Sequence, residues 1–222
     1  MGDFLVSIIV IILVATAVAM IFILTSRKRQ VREDALQQLA ESSGWKYEKV
    51  NRTNQSGFIL STRDWILEAL NTSSDSPGEA GSSGITFANT WRSTRVKSPA
   101  GVVLIGSKMP SINLGGLGEL VFQKALQLML GAEADQAVGL EEVYVGRTSF
   151  RDRFSVWATD RENAAHLLTY QLENALLNWK FKDIPVIKFS ASGVMIISRQ
   201  EQLDTPEKVL ALVNLGRAVL GD

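Results

Sequence analysis

An unbroken apolar run from Phe4 to Leu24 opens the chain, and Arg27, Lys28, Arg29 and Arg32 follow it at once. Roughly 20 such residues in a helix rising about 1.5 Å per residue cross a hydrocarbon core, so the run predicts a single N-terminal transmembrane helix. Positive residues beside a span are retained on the cytoplasmic side, which places the N-terminus outside and the C-terminal part in the cytoplasm. A cleaved signal peptide carries its cations before the apolar stretch, whereas only Asp3 stands there. Ala15 and Ala19 lie one helical turn apart on the span and offer a face that a second helix could approach closely.

Beyond the span the periodicity changes. Residues 32–43 carry Ala35, Leu36, Leu39 and Ala40 at helical spacing and end at Gly44, which predicts a helix leading away from the bilayer. Short runs of strand character follow at 45–50, 57–60, 65–71, 85–93 and 102–105, separated by polar turns, and read as an antiparallel meander. The stretch 73–84 is built of Ser, Gly, Asp, Pro, Glu and Ala. It buries too little apolar surface to offset its ordering, and a mobile hairpin loop is expected. Residues 118–131 place Glu119, Gln123 and Gln127 on a narrow polar stripe amid leucine, valine, phenylalanine and methionine. Such a helix must be covered on most sides, by the sheet or by a partner docked on Leu120, Phe122, Leu126 and Met129.

The second half predicts strands at 142–145 and 153–159, then one helix capped by Asp160 and running towards Trp179. A hairpin follows, 185–190 and 194–198, turning around Ala191-Ser192-Gly193. Thr205-Pro206-Glu207 then starts a last helix. Strands and helices do not alternate one for one. The expected fold class is therefore α+β, a single transmembrane helix followed by a mainly antiparallel sheet packed with helices. The domain division is residues 1–26 as anchor, 27–44 as a basic juxtamembrane segment and helix, and 45–222 as a cytoplasmic α+β domain.

The stretch Phe150-Arg151-Asp152-Arg153-Phe154-Ser155-Val156-Trp157-Ala158-Thr159-Asp160, followed by Leu167-Leu168-Thr169, resembles the C-terminal half of a family of bacterial membrane-anchored proteins grouped as a domain of unknown function. The resemblance covers residues 142–198. Tyr170 stands where that pattern has proline, and Ala164-Ala165-His166 replaces its Ala-Arg-Tyr. The resemblance implies a bacterial membrane protein with no assigned activity, and no catalytic residue is carried over.

Composition narrows the function classes. Lysine plus arginine equals aspartate plus glutamate at 23 each, so the basic excess of a nucleic-acid binder is lacking. Without cysteine there is no disulfide framework, thiolate metal site or cysteine nucleophile. The single histidine, His166, sits among Ala164, Ala165, Leu167 and Leu168, where a partly buried structural role is expected. Glu133, Asp135, Glu141 and Glu142 form the densest acidic group but lack a calcium-loop spacing. Asn113 to Glu119 is glycine-rich and opens a helix, yet it lacks the lysine and hydroxyl ending of a phosphate loop. Two small basic patches stand near aromatics, Arg92, Arg95 and Lys97 beside Trp91, and Arg147, Arg151 and Arg153. They suit strand-edge protection or lipid headgroups.

These readings lead to a membrane-tethered, non-enzymatic protein-binding module, an accessory or assembly subunit of a bacterial membrane complex in the inner membrane. No catalytic, metal-binding or cofactor-binding residue is expected, and no cofactor. The partner-binding candidates are Ala15, Ala19, Leu120, Phe122, Leu126 and Met129. Membrane lipids are met through the anchor and through Arg27, Lys28, Arg29 and Arg32. The alternative is a membrane-surface lipid or small-ligand sensor, and an uncharacterised enzyme comes third.

Overall fold

The computed structural model describes residues 30–73, 85–108, 139–199 and 202–222, together with 16, 20, 22 and 25–28. Among these described residues nine strands form one sheet: β1 (Lys46–Arg52), β2 (Gln55–Ser61), β3 (Ile66–Ser73), β4 (Ile85–Ser93), β5 (Val103–Ser107), β6 (Glu141–Glu142), β7 (Phe154–Ala158), β8 (Val186–Ser190) and β9 (Gly193–Ser198). Their order is β1-β2-β3-β4-β9-β8-β5-β7-β6. Every pairing is antiparallel. The first four strands are a meander. The β8–β9 hairpin then lies between β4 and β5, so the two halves of the chain share one sheet.

Directly opposed residues share a face. One row crosses eight strands as Tyr47, Leu60, Leu67, Trp91, Ile196, Ile187, Ile105 and Val156. All but Tyr47 are buried. The helices supply the other side of this core: α1 (30–42), α2 (Thr148–Arg151), α3 (Arg161–Leu167), α4 (Tyr170–Leu177) and α5 (Pro206–Leu220). Leu36 and Ala40 of α1, Phe150 of α2, Leu172 and Leu176 of α4 and Val209 to Val219 of α5 join the row in one hydrophobic cluster. Fully burying a Leu or Ile side chain stabilises the fold by about 1.5–3 kcal/mol. The row and the helix stripes facing it therefore hold the molecule together.

The neighbouring row faces the other way and crosses all nine strands as Lys46, Ser61, Ile66, Arg92, Met195, Lys188, Leu104, Trp157 and Glu142. Among the described residues, Val102 and Leu104, packed with Leu140 and Trp157, form the one hydrophobic cluster here. Among the described residues, the buried apolar side chains of the helices belong to the first face. The second face carries charge and half-buried apolar side chains.

The expected transmembrane anchor is corrected by this architecture. Among the described residues no helix is long and apolar enough to cross a membrane. The α1 helix carries Arg32, Glu33, Asp34 and Glu41 and turns Leu36 and Ala40 into the domain core. It belongs to the domain, fastened by Arg32 to Asp204 at 2.9 Å and by Glu33 to Lys49 at 2.5 Å. The expected single-pass, inner-membrane localisation and its orientation fall with the anchor. The fold class becomes a nine-stranded antiparallel sheet with a few short helices on one face. Most of the apolar run 4–24, including Ala15 and Ala19, lies outside the described residues, as do the loop 74–84 and the segment 109–138.

Candidate functional site

The second face is indented at one end. The two rows that meet there contain Ile66, Arg92, Met195 and Lys188, and one step further Ser190, which shares the face of Lys188 because side chains alternate along a strand. Ser190 is paired with Gly193 across the hairpin, so hydrogen stands where the row would otherwise carry a side chain. Gly193 has φ +140°, and a Cβ there would meet the Ser93 carbonyl oxygen at 2.4 Å. The hairpin thus lies close on β4 only because this residue is glycine, and its missing side chain leaves the floor open.

The rim is the β2–β3 turn. The Thr62 hydroxyl accepts hydrogen bonds from the backbone N–H groups of Asp64 and Trp65, at 3.2 and 3.3 Å, and the Ser93 hydroxyl donates to the Asp64 carbonyl at 2.6 Å. These bonds hold Arg63 at the mouth. The resulting groove has a volume of about 330 Å³, the low end of the roughly 300–1,000 Å³ range of ligand sites. Its charged lining is Arg63, Arg92 and Lys188 against Asp64, and Thr94, Ser190 and Ser192 add hydroxyls.

Each charge has a distinct setting. Arg92 donates through one terminal nitrogen to Glu68 at 2.7 Å, which leaves the rest of its guanidinium fork available. Asp64 lies 3.7 Å from Arg95, and Arg95 is also held by Asp222 at 3.0 Å, so the groove's one carboxylate is partly neutralised from outside. Lys188 is 7% exposed, between Met195 and Leu104 in the row. Arg63 makes no ion pair with a described carboxylate and stands exposed at the rim.

The candidates read from the sequence fall elsewhere. Ala15, Ala19, Arg29, Leu120, Phe122, Leu126 and Met129 lie outside the described residues, as do Glu133 and Asp135. Arg27 and Lys28 are exposed, and Arg32 is committed to Asp204. His166 is exposed on α3, contrary to the partly buried position expected for it. Among the described residues no group of three or more His, Cys, Asp or Glu is placed to hold a metal ion.

The two basic patches dissolve into separate structural roles. Arg147 pairs with the buried Glu173 at 2.5 Å and stacks over Tyr170, while Arg153 donates to the Leu177 carbonyl at 2.7 Å. Arg95 closes the C-terminal end of the domain through Asp222. Only Arg92 reaches the groove, where Arg63 and Lys188, absent from the sequence reading, join it. One signal for them was present. Val186-Ile187-Lys188-Phe189-Ser190 puts a cation inside an otherwise apolar strand, which buried strands avoid without a reason.

Comparison with protein-family models, with curated proteins and with solved structures gave no match to this chain. The resemblance over residues 142–198 therefore rests on its own residues.

Proposed function

We propose that this chain is a non-enzymatic protein-binding module, an accessory or assembly subunit that receives an acidic segment of its partner in the groove on the second face. The observation that carries the reading is the lining: Arg63, Arg92 and Lys188 share it with one carboxylate, Asp64, which Arg95 meets from outside. The groove is continuous with Ile66 and Met195, and Ile59, Ile197 and Val186 extend the half-buried apolar surface on the same face. An extended segment alternating acidic and apolar side chains matches that sequence of surfaces.

The test is a calorimetric titration of the full chain with a capped peptide alternating glutamate and isoleucine, set against its lysine counterpart. The acidic peptide should bind and the basic one should not. Raising salt should weaken the interaction, because charges at the rim are screened beyond about 8 Å at physiological ionic strength. Arg63→Ala should weaken it too while leaving thermal unfolding unchanged. Equal binding of both peptides, or indifference to Arg63→Ala, would sink the proposal.

A further inference from the structure

We infer that the outer edge of β1 pairs with β1 of a second copy of this chain, antiparallel and centred on Val50, so that two sheets join into one. The groove and its acidic partner play no part in this contact. The two ends of the sheet differ. At one end β6 holds two residues, and so short an edge strand offers an incoming chain little to pair with. At the other end β1 holds seven, in unbroken register with β2 and without a proline. Alternate residues of an edge strand direct their N–H and C=O groups away from the sheet. Among the described residues, Lys46 to Arg52 have no backbone partner except β2. All of them but Val50 are exposed or half-exposed.

Charge selects both the partner and the register. A two-fold axis perpendicular to the sheet keeps each face continuous, so it must pass through one residue of β1 and set that residue against itself. An axis at Lys49 uses the whole strand, but it opposes Lys49 to Lys49 and Lys46 to Arg52. An axis at Glu48 opposes Glu48 to Glu48. Axes at Tyr47 or Asn51 overlap only three residues of the strand. The axis at Val50 pairs Glu48 to Arg52 with the same stretch of the second copy: Glu48 meets Arg52 at both ends, Val50 meets Val50, and Lys49 meets Asn51. Opposite charges directly across a strand pair stabilise it and like charges destabilise it. The remaining charges do not interfere. Lys46 falls opposite Asn54 of the β1–β2 turn, Lys49 is already held by Glu33 at 2.5 Å, and β2 carries no charge. Cations alone on an edge keep other strands away, whereas Glu48 and Arg52 together, exposed on one face of β1, admit a strand of this same sequence.

The experiment is sedimentation equilibrium on the full chain, which should show a dimer. Glu48→Arg and Arg52→Glu each put like charges opposite one another at both ends of the ladder, and each should raise the dissociation constant at least about tenfold. The double variant Glu48→Arg/Arg52→Glu restores opposite charges in exchanged places and should return to within about threefold of the wild type. A mixture of the two single variants should form the mixed dimer in preference to either variant alone. Both positions are exposed, so unfolding temperatures should not change. The chain has no cysteine, so Val50→Cys supplies one thiol, placed on the axis. Directly opposed residues of an antiparallel pair have Cα atoms about 4.5–5.5 Å apart, inside the span of a disulfide. Oxidised glutathione should therefore link Val50→Cys into a covalent dimer and leave Lys46→Cys unlinked.

A chain that stays monomeric at every concentration would overturn the inference. A dimer indifferent to both single reversals is held elsewhere in the chain and would overturn it too. Single reversals without rescue in the double variant, or a link at Lys46→Cys in place of Val50→Cys, would overturn the register centred on Val50.

Discussion

Trp91 and Gly216 show how single residues fix the packing of α5 on the sheet. Trp91 is fully buried in the central row, and its Nε1 is, among the described residues, a buried side-chain donor without a hydrogen-bond partner. A Cβ on Gly216 would stand 2.3 Å from its Cε2 and 2.6 Å from its Cζ2. Glycine inside a helix costs about 1 kcal/mol relative to alanine, so its presence marks a contact that no side chain fits. Gly216→Ala should therefore destabilise the protein by about 1–3 kcal/mol despite the gain in helix propensity. In a Trp91→Phe background, where the ring shrinks, the same alanine should cost less. Urea denaturation of the four proteins measures the coupling, and additive effects would refute the contact. Tyr47 offers a test by pH. Burial, and secondarily the charge of Glu33, raise its phenol above the ordinary 10.0. The unfolded chain loses that proton first, so the contribution is complete below pH 10 and is lost as pH rises through the folded-state value. Stability above about pH 10 should fall more steeply in the wild type than in Tyr47→Phe. Parallel curves would remove Tyr47 from the account.

Among the elements, the helical stretch after Asp160 separates what periodicity can and cannot reveal. Ala164, Leu168, Leu172 and Leu176 recur at helical spacing, which reads as one helix. The chain instead breaks at Leu168, whose ψ is 73°, and restarts with Thr169 accepting a hydrogen bond from the Leu172 N–H at 3.2 Å. Both halves keep their apolar side towards the sheet, so the hydrophobic pattern is blind to the break. The capping threonine was its local signal. Thr169→Ala should cost about 1 kcal/mol, read as a shift in the urea midpoint, and Thr169→Asp should restore most of it. A neutral alanine would mean that α4 is positioned by packing alone. Strands were legible where side chains alternate between the two faces, as at 153–159, where β7 forms over Phe154–Ala158 with Phe154, Val156 and Ala158 in the core, and the bounds of Ile85–Ser93 also match the expectation. Glu142 to Val145 reads as a strand too, yet β6 holds only Glu141–Glu142, and Val143 keeps one further bond to Val156. An edge with one neighbour gives a run of strand formers little to pair with. The groove was the least legible feature, because Arg63, Arg92 and Lys188 come from a turn and two strands far apart in the chain. Sequence patches group neighbours, whereas the site groups residues opposed across the sheet. The apolar run at the N-terminus misled in the opposite way. It dominated the reading, while α1 beyond it joins the domain core.

At the scale of the whole molecule, the proposed function has the two faces of one sheet divide stability from recognition, and adjacent residues of β9 make that division testable. Ile196 lies in the row beneath the helices, fully buried between Trp91 and Ile187. Met195, one position earlier, lies half-buried on the other face between Arg92 and Lys188. Truncating a buried isoleucine removes its transfer free energy and leaves a cavity, so Ile196→Ala should destabilise by about 2–5 kcal/mol. Its effect on affinity for the acidic peptide, measured where the variant is still folded, should be small. Met195→Ala removes a flexible side chain from a surface that water already reaches, and should cost about 1 kcal/mol or less. It also takes away the apolar wall separating the two cations, and should weaken the peptide several-fold. If Met195→Ala instead unfolds the protein as readily as Ile196→Ala, the second face is structural and the groove is a crevice of the core. A Met195→Ala protein that keeps both stability and affinity would place the partner elsewhere on the surface. Only the crossed pattern, stability lost at one residue and affinity at its neighbour, fits a sheet that folds with one face and binds with the other.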